Sequence, residues 1–188
     1  MRKAPAIKLR RRVFIGCEGE SERSYIALLR LLPSIERLHV HLDPVVLNPG
    51  SGDPAKLIER AVLRMQERAR QHGAYVARAV LLDSDTRGRA PDREERAFAM
   101  ARKAGLILIW QEPCHEALLL RHLSGCEQLR PATANQAQQD LKRRWPEYEK
   151  GAPAAFLAKH IGDGELLRAL AVEAELRAFL LAIGHGRQ

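Results

Sequence analysis

Residues 13–22, VFIGCEGESE, decide how the rest of the chain is read. VFIGC is a short apolar run with the character of a buried strand, Gly19 ends it, and from Ser21 to Leu32 apolar residues recur at helical spacing. The order is strand, turn, helix. Working outward, DPVVL at 43–47 predicts a second strand, and the turn-rich NPGSGDP leads into a helix from about Pro54 to His72. Asp53 suits its N-cap and Pro54 its first position, while Leu57, Ile58, Ala61, Val62 and Met65 share one face. AVLL at 79–82 predicts a third strand, broken by DSDTRGRAPD before a helix at 92–104 and a fourth strand, LILIW, at 106–110. Strands alternating with helices predict an α/β fold, a mostly parallel sheet flanked by helices. Beyond residue 112 the pattern turns helical, at 115–123, 135–144, 154–160 and 164–183. The expected organisation is a basic N-terminal arm at 1–12, a catalytic core at 13–125, and a helical C-terminal extension at 126–188 packed on that core.

The 188 residues suit one compact domain. No apolar run approaches the roughly 20 residues that span a bilayer, and the charged N-terminus lacks the features of a secretory signal, so a cytoplasmic protein without a membrane association is expected. Cys17, Cys114 and Cys126 are an odd number at no metal-finger spacing, which suggests buried thiols rather than disulfides or structural zinc. Arg2, Lys3, Lys8, Arg10, Arg11 and Arg12 carry six of the net charge of +8, leaving the body nearly neutral. Such an arm either attracts phosphates in a salt-dependent way or is a solvated tail.

Ligand sites in open parallel sheets lie outside the carboxyl ends of the strands, and the acids fall at those predicted ends. Glu18, Glu20 and Glu22 follow the first strand, Asp83 and Asp85 the third, Glu112 and Glu116 the fourth. Singly, these acids also fit helix-dipole and turn roles. Jointly they would repel one another without a cation, and hard oxygen donors of this kind suit Mg2+ or Mn2+.

The same residues carry a resemblance. The run from Phe14 through Glu18, Gly19 and Glu22, followed by Tyr25 and a leucine pair, resembles the opening motif of RloB-like proteins. Leu81-Leu82-Asp83-Ser84-Asp85 is similar to that family's Asp-x-Asp, and Gly50-Ser51-Gly52-Asp53-Pro54 to its Gly-rich lead into the preceding helix. Glu112-Pro113-Cys114-His115-Glu116, with Leu119, Leu120 and His122, resembles its Asn-Pro-Cys-Phe-Glu segment. Glu112 stands where asparagine is usual, and His115 where phenylalanine is usual. The resemblance covers roughly residues 10–150, and its Glu-Gly with Asp-x-Asp is the TOPRIM (topoisomerase–primase) pattern shared with overcoming-lysogenization-defect nucleases, topoisomerases and primases.

The resemblance implies a TOPRIM-like core and a Mg2+- or Mn2+-dependent nuclease acting on DNA or RNA in bacterial anti-phage defence. Asp83 and Asp85 would hold metal, Glu18 would be ligand or general base, and Glu22 and Glu116 would complete a first or second metal. No P-loop motif is present, so an ATPase partner from a defence locus is implied for any nucleotide-driven step; a homodimer is a further expected partner. A nucleic-acid-binding TOPRIM module without turnover is the alternative. Candidate nucleic-acid contacts are Arg10, Arg11, Arg12, His122, Lys142, Arg143 and Arg144. A hydrogen-bonded helix histidine is the better reading of His122. Trp145 and Tyr148, flanked by Lys142, Arg143, Arg144 and Lys150, could stack bases with cationic support or pack a helix end.

Overall fold

The computed structural model describes residues 9–47 and 53–186. Arg2, Lys3 and Lys8 of the basic arm, and Gly50, Ser51 and Gly52, lie outside the described residues. Four strands, β1 (Arg11–Cys17), β2 (Val40–Val46), β3 (Ala77–Asp83) and β4 (Ile107–Gln111), form one sheet in the order β2-β1-β3-β4. Every pairing is parallel. The helices are α1 (Glu20–Leu29), α2 (Pro33–Glu36), α3 (Pro54–His72), α4 (Pro91–Lys103), α5 (His115–His122), α6 (Ala134–Arg144), α7 (Ala154–Leu157), α8 (Asp163–Leu170) and α9 (Ala174–Ile183).

Strand alternation divides the core in two. Val13, Ile15 and Cys17 of β1, Ala77, Ala79 and Leu81 of β3, and Ile109 of β4 face a layer built from α1, α5 and the C-terminal helices. Phe14, Val80, Leu82 and Trp110 face α3 and α4 on the opposite side. The C-terminal helices thus share one face of the sheet with α1 and α5. Leu141, Trp145, Leu166, Phe179 and Leu180 share a single apolar cluster with β1 and β3. No helix among the described residues is long and apolar enough to cross a membrane, and the three cysteines are buried free thiols.

Local chemistry explains the better-placed elements. The Asp53 carboxylate accepts from the backbone N–H groups of Ala55 and Lys56 at 3.0 and 3.3 Å, capping α3 as its sequence predicts. Several boundaries differ from expectation, two of them with a clear cause. β2 begins at Val40 rather than 43, because Arg11 and Arg12 pair with Val40 and His41 and draw polar residues into the ladder. The single helix expected over 164–183 is broken between α8 and α9, where buried Glu173 pairs with the fully buried guanidinium of Arg121.

Candidate metal centre

The strand order places the acids. From β1 the chain moves outward to β2, from β3 it moves the other way to β4, and the order reverses between β1 and β3. Crevices at such reversals, outside the carboxyl ends, are where open α/β sheets bind ligands. Glu18 immediately follows β1, and Asp83 is the last residue of β3. Asp83 keeps the parity of Ala77, Ala79 and Leu81, so it points to the face covered by α1 and α5. Those helices bring Glu22 in the first turn of α1, and His115 and Glu116 in the first turn of α5.

A cleft of about 300 Å³ results, lined by Glu18, Gly19, Glu20, Ser21, Glu22, Asp83, His115, Lys150 and Gly151. Burial first, then the charges of Glu22, Glu18, Glu116 and Asp85, push the Asp83 carboxyl up from 3.8 to about 9. Burial, then Glu22, also raises Glu18, against the backbone N–H of Asp83 and the ammonium of Lys150; Asp85 adds to the rise. Burial followed by Glu22 raises the neighbouring Cys17 thiol. Like charges that raise a carboxyl in this way lie close to it in space.

In the cleft, and behind it at Glu116, polar atoms lack hydrogen-bond partners. Asp83 Oδ1, Glu116 Oε1 and His115 Nε2 are buried and make no hydrogen bond, although roughly 90% or more of buried polar groups in folded proteins are paired. Carboxylate oxygens left bare beside raised neighbours fit a hard divalent cation by donor type and by charge. Convergence is incomplete. Among the described residues no group of three or more His, Cys, Asp or Glu side chains stands ready to hold an ion. Glu22 Oε2 accepts the Gly19 N–H at 2.9 Å, and Asp85 is exposed and outside the cleft lining, so gathering around an ion requires side-chain rotation.

The other candidates are distributed less simply. Glu116 is 1% exposed and lines a second cavity that also reaches Lys142, with Lys150 Nζ 3.9 Å from its Oε1. Arg143 pairs with Asp140, and Arg144 is exposed at the end of α6. Arg10 is exposed. Arg11 and Arg12 belong to β1 rather than to an arm, at the sheet edge opposite the acids, about 20 Å away over a seven-residue strand. Arg12 binds Asp43 at 2.8 Å, the Tyr75 hydroxyl at 2.7 Å and the Gly73 carbonyl at 2.8 Å. Arg11 donates to the Ile183 carbonyl at the end of α9 at 3.1 Å. Both guanidiniums tie parts of the fold together, Arg12 half-buried and Arg11 exposed.

His122 is likewise a packing residue. It is fully buried, and its Nδ1 lies 2.9 Å from the Leu118 carbonyl, an acceptor, so that nitrogen carries the proton. Nε2 then accepts from the Tyr25 hydroxyl at 3.1 Å, and burial lowers the ring to about 4. Trp145 and Tyr148 are 1% and 3% exposed, with Trp145 stacked on Phe156, so no face of the indole is free for a base. Glu20 pairs with Arg23 on the exposed side of α1 at 2.6 Å.

Sequence reasoning places Lys150 only beside Trp145 and Tyr148, and its position at the acid cleft is what that reasoning missed. The lysine joins the cleft because the Gly151 N–H donates to Ser21 Oγ at 3.1 Å, pinning the segment after α6 over the start of α1. No local pattern distinguishes it from the other cations nearby.

Compared with known proteins, residues 13–179 match the family described as RloB-like protein. No curated protein and no solved structure gives a significant match.

Proposed function

The chain belongs to the RloB-like family, and from that premise we propose that it is a TOPRIM-type, metal-dependent nuclease that hydrolyses phosphodiester bonds of DNA or RNA in the bacterial cytoplasm, as part of anti-phage defence. The observation that carries the proposal is the buried, unpaired carboxylate oxygen of Asp83 at the β1/β3 crevice, with Glu18 and Glu22 lining the same cleft. Glu18, Glu22, Asp83 and Asp85 would hold Mg2+ or Mn2+. When bound, such an ion supplies Lewis-acid charge to the phosphodiester and makes water easier to deprotonate.

The chain's own groups have separate tasks. Glu18, raised by its burial and by Glu22, is a carboxylate shifted toward the pH at which a general base works best. Lys150 brings an exposed ammonium to the cleft, where it can pair with a substrate phosphate. Glu116 sits behind Asp83 and adds negative charge to the cation site. The proposed partners are DNA or RNA, an ATPase from the same defence locus, and a second copy of the chain.

The unconverged donor set favours a second reading, a nucleic-acid-binding TOPRIM module that works with an ATPase without turnover of its own. Incubating the chain with plasmid, single-stranded DNA and tRNA, with and without Mg2+ or Mn2+, separates the two. Metal-dependent cleavage is expected, falling on the order of 100-fold or more in Glu18→Gln and lost in Asp83→Ala, with unchanged far-UV circular dichroism. Cleavage by Asp83→Ala at the wild-type rate would remove the assignment, and binding without cleavage in either metal would select the second reading.

A further inference from the structure

Resting on the nuclease reading, we propose that the second cavity, between α6 and the segment Tyr148–Lys150, is a subsite for one nucleobase, so that the substrate is a single strand or an extruded nucleotide. The cavity measures about 270 Å³, at the small end of ligand pockets. Asn135, Gln138, Gln139 and Lys142 line it from one face of α6, at the i, i+3, i+4 and i+7 spacing. The three amides make no hydrogen bond among the described residues, whereas Gln136, on another face, caps its own helix by accepting from the Ala132 N–H at 3.2 Å.

The deeper polar atoms also lack hydrogen bonds, although Lys150 Nζ lies 3.9 Å from Glu116 Oε1. Tyr148 and Glu116 are 3% and 1% exposed and line the cavity, and the Tyr148 hydroxyl and Glu116 Oε1 have no hydrogen-bond partner. A nucleobase carries donors and acceptors in one plane around an apolar face. Amides supply both kinds of partner, a carboxylate accepts from an exocyclic amine or ring N–H, and a phenol donates to a carbonyl or ring nitrogen.

Position selects this occupant over an unrelated small molecule. Lys150 lines both cavities, and the charge of Glu116 acts on Asp83, so the two spaces are neighbours. A strand whose phosphate lies over the acid cleft would bring an adjacent base to α6, with Lys142 and Lys150 matching the backbone charge. A base held within a duplex has its edge paired and its faces stacked, and enzymes that pocket a base take single strands or extrude it.

The test uses the full chain in EDTA and fluorescence polarisation with a short mixed-sequence single strand, the same strand as an abasic backbone, and its duplex. Wild type should bind the single strand about ten-fold more tightly than the abasic strand, the size of one base contact, and more tightly than the duplex. Gln138→Leu, an exposed position where the fold is not at stake, should erase the difference, while Asp83→Ala should keep it. Equal affinity of wild type for intact and abasic strands, or an undiminished preference in Gln138→Leu, would overturn the subsite. The nuclease reading can fail separately. Metal-dependent cleavage that ignores the missing bases would leave the nuclease without the subsite, and a Gln138-dependent preference without cleavage would leave the subsite without the nuclease.

Discussion

Asp83→Asn should stabilise the metal-free protein, and by more at neutral than at acid pH. In the unfolded chain the Asp83 carboxyl loses its proton near 3.8, but in the fold it holds it to about 9, through burial and then the charges of Glu22, Glu18 and Glu116. Between those values the unfolded state is the one that gives up the proton. The contribution to stability is therefore fully present below 3.8 and is lost as pH rises toward 9, at about 1.4 kcal/mol per pH unit. At pH 7 the loss is at most roughly 4 kcal/mol. Asparagine keeps the shape and removes the ionisation. For a chain of this length about 1 kcal/mol moves the melting temperature by 2–4 °C, so Asp83→Asn should melt above wild type by up to about 8–16 °C at pH 7 in EDTA and close to it near pH 4. Thermal melts followed by circular dichroism across this range would measure the difference. Adding Mg2+ or Mn2+ should raise the wild-type melting temperature at pH 7 and affect Asp83→Asn little. Parallel pH curves for the two proteins in EDTA would refute the account of Asp83 as a buried, mutually repelled carboxyl.

Tyr25→Phe removes the only donor to buried His122 Nε2 among the described residues, so urea unfolding should register a loss of about 1–3 kcal/mol. Cleavage by the folded variant should stay near the wild-type rate. Gly16→Ala would place a methyl 2.9 Å from Leu47 Cδ1 and 3.0 Å from Val80 Cγ2; overpacking of that kind costs about 1–3 kcal/mol, and a melting temperature equal to wild type would show that Leu47 moves aside freely.

Sequence reading did best where structure is decided by neighbours along the chain. The Asp53 cap, the amphipathic face of α3 and the strand that ends at Asp83 follow from spacing alone, and so does the helical C-terminal region. The parallel sheet was also legible, but its order was not. Which strands are adjacent depends on contacts between segments tens of residues apart, and that order is what puts Glu18 beside Asp83. The internal contacts of the arginines were hidden for the same reason. Arg12 looks like one more cation in a basic run until Asp43 and Tyr75 are found beside it, 31 and 63 residues away. His122 has the sequence context of a site residue, but its burial comes from Tyr25, which sits 97 residues earlier. Lys150 reaches the acids through a backbone contact to Ser21, and no feature of its own neighbourhood announces that.

That contact between Ser21 and Gly151 joins residues 130 positions apart, and it has a consequence for a chain emerging from the ribosome. The carboxylates leave early, Glu18 and Glu22 first, then Asp83 and Glu116. Lys150 and Gly151 leave late, and until they do the acids have neither their nearby ammonium nor the backbone that walls one side of the cleft. An incomplete chain carries an open, self-repelling cluster of acids. The finished cleft is thus made only on a chain synthesised past Gly151, which separates the birth of its ingredients from the birth of the site.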